Sequence, residues 1–151
     1  MRASKITADV RAFFTLYCTA LIRQDAPALA KHYADLVHVS SDDGRDVRVT
    51  LATADELRET IDRLLDMYRA INVGSVEATG LATDQLSPRL VQARLRWALK
   101  DKATQPLYEF DAMYTLARHT EQFRITAIAH NETPEYRRCL ARTRGDGPTS
   151  E

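Results

Sequence analysis

Three side chains of the kinds that move protons and hold negative charge, Arg94, Asp111 and His130, lie in three successive segments that alternate apolar with polar residues. If Lys102 and Ala103 form a two-residue turn, Arg94 falls opposite Asp111 and Arg96 opposite Glu109. A tight turn at Thr120 and Glu121 then sets His130 opposite Asp111, on the face that carries Arg94. In such a row the carboxylate orients the imidazole and fixes its tautomer, leaving the other ring nitrogen to move a proton near neutral pH. The guanidinium can hold a developing oxyanion or a carboxylate group. The plainer alternative is a set of cross-strand salt bridges on a solvated or dimer-facing surface, each worth about 0 to 1 kcal/mol. The reverse face is apolar, with Val91, Leu95, Trp97, Phe110, Tyr114, Phe123 and Ile125. Which face lines an interior is left open, because one residue of slip exchanges them.

Other candidates carry less. Tyr17 lies on an apolar helical stripe, where it packs with a polar tip whether or not it does chemistry. His32, His38 and His119 stand in no metal-ligand spacing, and Asp42, Asp43 and Asp46 are explained by turn chemistry, so no metal is expected. Cys18, in an apolar helix without a basic neighbour, reads as an inert thiol, and Cys139 forms no ligand motif with it. There is no glycine-rich phosphate loop, nucleophile elbow or dinucleotide fingerprint, and no cofactor is expected.

The elements that must position these residues follow from periodicity. A helix begins at Thr7 and repeats Val10, Phe13, Phe14, Tyr17 and Leu21 on one face; Asp25 and Pro27 open a second, short helix. Leu36 to Ser41 and Val47 to Leu51 form a hairpin around Asp42, Asp43, Gly44 and Arg45. Thr53 and Glu56 have capping-box spacing ahead of the stripe Leu57, Ile61, Leu64, Leu65, Tyr68 and Ile71. From Val73 the period becomes twofold, giving four long strands near Val73 to Thr83, Arg89 to Lys100, Leu107 to Arg118 and Gln122 to Asn131. Pro134 opens a last helix. Helices followed by a run of antiparallel strands define the α+β class.

At 151 residues, with 44% hydrophobic and 28% charged side chains, the chain suits one globular domain, expected over 1–142 with a flexible tail at 143–151. Twenty-one Lys plus Arg balance twenty-one Asp plus Glu, so nothing draws the chain to nucleic acid or an anionic membrane. No apolar run reaches bilayer length and the first residues hold no signal-peptide stretch, which makes the cytoplasm the expected location.

The order of elements, with Gln24-Asp25 before the second helix, Tyr33-Ala34-Asp35 after it and the terminal strand Phe123 to Ile128, resembles the nuclear-transport-factor-2-like superfamily from Thr7 to Glu132. SnoaL-like and ketosteroid-isomerase-like proteins are among its members. The resemblance implies a cone-shaped, cystatin-like fold, with three N-terminal helices on a curved, mainly antiparallel sheet enclosing a pocket, and frequent homodimers. It implies isomerase, dehydratase, cyclase or epoxide hydrolase activity, or binding without catalysis, so the fold selects no function. His130 falls where SnoaL-like and limonene-epoxide-hydrolase-like members keep a catalytic acid, and Arg94 matches the hydrolase's pocket arginine. Arg96 replaces the acid that follows, which argues against epoxide hydrolysis. Tyr17 falls on the steroid isomerase's oxyanion-hole tyrosine, Ser41 on its general-base aspartate, and its second acid falls near Tyr114 or Thr115. A hydroxyl at Ser41 cannot serve as that base, so steroid isomerisation by that route is not expected.

Three readings follow. The chain is a pocket protein, probed by Trp97, Tyr114, Ser41 and Ile128, that holds a small apolar ligand and pairs with a second copy through its sheet face. Alternatively it is a cofactor-independent isomerase, dehydratase or cyclase for a small apolar carbonyl or hydroxyl compound, with His130 and Asp111 transferring the proton and Arg94 and Tyr17 stabilising negative charge. In the third reading the aromatic sheet face docks another protein, which requires Trp97 or Phe110 to be exposed.

Overall fold

A computed structural model of the chain describes residues 2–145. The elements are α1 (Arg2–Ile22), α2 (Ala26–Ala30), β1 (Tyr33–Asp42), β2 (Val47–Thr53), α3 (Ala54–Ala70), β3 (Val73–Ser87), β4 (Leu90–Asp101), β5 (Pro106–Ala117), β6 (Arg124–His130) and α4 (Glu132–Thr143). The six strands form one sheet in the order β2-β1-β6-β5-β4-β3, antiparallel throughout except for the β1 and β6 pair, so the α+β class holds. Most of the tail expected at 143–151, residues 146–151, lies outside the described residues. No described helix is long and apolar enough to cross a membrane.

Local chemistry accounts for the element ends. Asp25 caps α2 by accepting from the Ala28 N–H, with Pro27 in the first turn, where its missing N–H costs nothing. At the start of α3, the Thr53 hydroxyl accepts from the Glu56 N–H while the Glu56 carboxylate accepts from the Thr53 N–H, a reciprocal capping box. Gly74 allows β3 to pass close to the β4 end, since a side-chain carbon there would sit 2.7 Å from the Lys102 Cα. Gly80, at φ +63°, lies at a bulge that shifts the β3 register between Thr79 and Ala82.

Alternation along β4 and β5 gives the sheet one apolar face. Val91, Ala93, Leu95, Trp97 and Leu99 are buried and lie opposite Leu116, Tyr114, Ala112, Phe110 and Tyr108. Helices α1, α3 and α4 pack against the sheet, with Val10, Phe14, Leu57, Ile61, Leu65 and Cys139 in the same core. Trp97 and Phe110 are 1% and 7% exposed, so the aromatic face is the interior and cannot serve as a docking surface.

The strand registers correct the expected row. The β4–β5 connection is Lys102–Gln105, four residues with Thr104 at φ +65°, held by the Asp101 carboxylate accepting from the Ala103 and Gln105 N–H groups. This slides the pairing by two residues and keeps the faces, so Arg96 lies opposite Asp111 and Arg94 opposite Met113. Between β5 and β6, Leu116 opposite Ile125 is the register a tight turn would give, but a bulge at Thr126 then places Thr115 opposite Ala127 and Ala112 opposite His130. One residue of shift sends His130 to the inner face, while Arg94 and Asp111 stay on the outer one.

Candidate functional site

On the outer face Arg96, rather than Arg94, bridges the acids: its Nε donates to Glu109 at 2.7 Å and its Nη1 to Asp111 at 2.9 Å. These two hydrogen bonds hold the guanidinium above its ordinary value. The three side chains are about half exposed, the setting in which ion pairs contribute little. The expected site residues Arg94 and Asp111 therefore sit together with Arg96 on the surface, on the opposite face of the sheet from His130.

Inside, a cavity of about 60 Å³ is bounded by α1, α3, the sheet and the β6–α4 junction. Of the expected residues, Tyr17, Trp97, Tyr114, Ile128 and His130 line it. Ser41 pairs with His130 along the sheet, but its hydroxyl is turned to Thr133, 3.4 Å away, and it does not line the cavity.

The cavity's acid is Glu132, 7% exposed and the one charged residue in the core of the described chain. It occupies the first turn of α4, next to the end of β6. Its Oε2 accepts from the Tyr68 hydroxyl at 2.6 Å and from the Tyr108 hydroxyl at 2.8 Å. Its Oε1 accepts no hydrogen bond among the described residues, and the Glu132 side chain lines the cavity. Burial pushes the Glu132 carboxyl above its ordinary value, and the two tyrosine hydroxyls oppose that shift. Burial also raises Tyr68 and Tyr108, and the Glu132 charge raises them further.

Further polar groups line the wall or stand behind it. His130 Nδ1 accepts from the Glu132 backbone N–H at 3.1 Å, which puts the neutral ring's proton on Nε2. Burial holds this imidazole below its ordinary value, toward the neutral form. On the α1 side, Tyr17 and Tyr33 share a hydrogen bond of 2.5 Å, and burial raises both, Tyr33 to about 12. Trp97 Nε1 donates to the Tyr114 hydroxyl at 2.8 Å. The site thus presents a carboxyl shifted toward protonation, a neutral imidazole and tyrosine hydroxyls in an apolar shell. Burial also raises the Cys18 thiol to about 11, as suits an unreactive cysteine.

Sequence reasoning missed Glu132 and its partners. An acid in a first helical turn reads as a complement to the helix dipole, and its burial depends on tyrosines 64 and 24 residues away. The signal that was available is the two-residue step from His130 across the end of a strand.

A mainly antiparallel sheet with helices over its apolar face, and a small cavity between them lined by one carboxyl and one imidazole, defines an α+β protein. The family model described as NTF2-like protein (DUF6841) matches residues 8–133, and the chain belongs to that family. Solved structures share the fold. An NTF2-like protein of unknown function from Shewanella oneidensis MR-1 is 16% identical, over 83% of this chain and 98% of that one, with a TM-score of 0.65. A protein of unknown function from Mycobacterium tuberculosis is 15% identical over 94% and 89%, at 0.68. A cystatin-like protein from Nostoc punctiforme PCC 73102 is 6% identical over 82% and 88%, at 0.66. No curated protein matches the chain.

Proposed function

We propose that this chain binds a small, mostly apolar molecule through one carbonyl or hydroxyl oxygen, with Glu132 Oε1 as the polar anchor and His130 beside it. The carrying observation is a buried carboxyl, with Oε2 held by two tyrosine hydroxyls and Oε1 without a described partner, that lines a cavity whose other walls are mostly apolar and aromatic, with His130 among them. A cavity of 60 Å³ has room for about two waters, so the anchor takes the ligand's polar end and the remainder lies toward half-buried Ile128 and His130. Trp97 is the only tryptophan and lines the cavity, so its emission reports occupancy. Titration with acetone, butanone and 2-propanol should give a saturable change in emission that weakens tenfold or more in Glu132→Leu. No saturable change, or one indifferent to that substitution, overturns the reading.

A cofactor-independent lyase or isomerase remains the second reading. It is favoured by a carboxyl shifted toward its protonated form beside a neutral imidazole, the pairing that acid–base proton transfer uses near neutral pH. Glu132, not Asp111, is then the partner of His130. Uptake of deuterium into bound butanone, lost in Glu132→Gln, separates turnover from binding.

We also infer a homodimer through the outer face of the sheet. Val47, Val49 and Leu51 on β2, Leu36 on β1 and Met113 on β5 are between 47% and 62% exposed. In the sheet registers Val49 faces Ser40, which neighbours Ala129 and then Met113, so these residues share one surface. An apolar patch on an edge strand calls for a partner, and a second copy buries the same patch twice. Sedimentation should give a dimer that Leu51→Lys converts to monomer. A monomeric unsubstituted chain contradicts the inference.

A further inference from the structure

A second concavity, of about 1130 Å³, runs along the flank of α1, between that helix, α2 and the 118–123 loop. It is separate from the Glu132 cavity: no residue lines both. Its apolar floor is formed by Ala12, Phe13, Leu16 and Ala20 of α1 with Phe123 opposite. Leu16 is 64% exposed and adds its apolar side chain to this floor. The walls are already braced. Phe13 meets His32 edge-on at 5.0 Å, while Arg118 lies over the Phe123 ring at 4.4 Å and donates to Asp9 at 3.5 Å.

The rim is cationic on a chain whose net charge is zero. Five Lys and Arg side chains line the groove against three acids. The acids are partly engaged already, Asp9 with Arg118 and Asp25 as the α2 cap. Lys5, Arg23, Lys31 and Arg89 form no ion pair among the described residues. From Lys5 to Ile22, the residue before Arg23, α1 rises about 26 Å at 1.5 Å per residue, so apolar floor and cationic ends are laid out along a line.

We propose that this groove binds a single-chain amphiphilic carboxylate, a free fatty acid, with its alkyl chain against Phe13, Leu16 and Phe123 and its headgroup at Arg23 and Lys31. Charge complementarity selects an anion, and the exposed Leu16 selects a chain rather than a bare ion. The α1 and α2 flanks use their backbone groups within the helices, so recognition falls to side-chain packing and charge, which an alkyl carboxylate satisfies and an extended peptide does not.

The test is calorimetric titration of the full chain with decanoate, using 1-decanol as the uncharged control. The expected result is one-to-one binding, tenfold or more tighter for decanoate than for decanol and weakened by added salt. The double substitution Arg23→Glu/Lys31→Glu and the single substitution Leu16→Asp should each weaken it tenfold or more. Both sites are exposed, and unchanged melting curves would show that the variants fold. Trp97 emission should stay constant, because that ring lines the other cavity. Absence of decanoate binding overturns the proposal, as does binding that shifts Trp97 emission and ignores the groove substitutions. Attachment to anionic phospholipid vesicles without decanoate binding would assign the groove to a membrane surface and likewise overturn it.

Discussion

The two faces of β4 and β5 place similar side chains in opposite circumstances. Outside, Glu109 and Asp111 share the Arg96 guanidinium in water, 54% and 41% exposed. Inside, Glu132 has no cationic partner among the described salt bridges and leans on two tyrosine hydroxyls. The outer acids are stabilised by solvent as well as by their partner, and losing the partner returns them to water at little cost. The inner acid has no solvent to return to, so its protonation state, its hydrogen bonds and the stability of the core are linked. Charge-pair geometry on a surface is therefore a poor guide to a site, and a single buried carboxyl facing a cavity is a better one.

The widest break in this comparison is at the bulge that separates the faces. Deleting Thr126 should restore the unbulged β5–β6 register, turn His130 outward and cost more than about 4 kcal/mol or abolish folding, read by chemical denaturation. Retained stability would show that the bulge does not set the face. Glu132→Ala should cost about 2 to 4 kcal/mol, since it strands two buried hydroxyls and opens a void, whereas Glu132→Gln keeps an acceptor and should stay within about 1 kcal/mol. Tyr108→Phe should cost about 1 to 2 kcal/mol and raise the Glu132 carboxyl further.

The pH dependence sharpens the same contrast. Glu132 is raised above 4.5, so the folded chain holds that proton more tightly than the unfolded one. Its contribution is complete below about 4.5 and is lost as pH climbs through the folded value. His130 is lowered from 6.5, so its contribution is complete above that value and is lost as pH falls through the folded one. Denaturation midpoints across pH, compared with Glu132→Gln and His130→Gln, should thus give difference curves of opposite slope. The smallest effect belongs outside: Arg96→Met should leave the midpoint unchanged at physiological salt.

Much of the fold was legible in the sequence because its signals are local. The Thr53 and Glu56 capping box and the stripe from Leu57 to Ile71 define α3 without reference to the rest of the chain. Strict alternation in β4 and β5 separated the ionic from the aromatic face, and that separation survived a four-residue turn because the slip was even. The candidate site was less legible because it rests on an odd slip. The bulge at Thr126 lies among Thr126, Ala127 and Ile128, residues that suit either face, so alternation carries no mark of it. Tyr17, Trp97, Tyr114, Ile128 and His130 were identifiable as aromatic, apolar or titratable residues on their elements, yet the group they surround enters from α4. No local pattern distinguishes a first-turn glutamate in water from one buried beneath Tyr68 and Tyr108.

Burial holds Glu132, a carboxyl lining the cavity, toward its protonated form. Titration of this carboxyl, followed by carbon-13 NMR of the labelled side chain in the full chain and in Tyr108→Phe, reads that state. The expected midpoint lies above 4.5 and rises further when the Tyr108 hydroxyl is removed. A midpoint at or below 4.5, indifferent to Tyr108, would mean that the carboxyl is solvated and that the interior site does not exist as described.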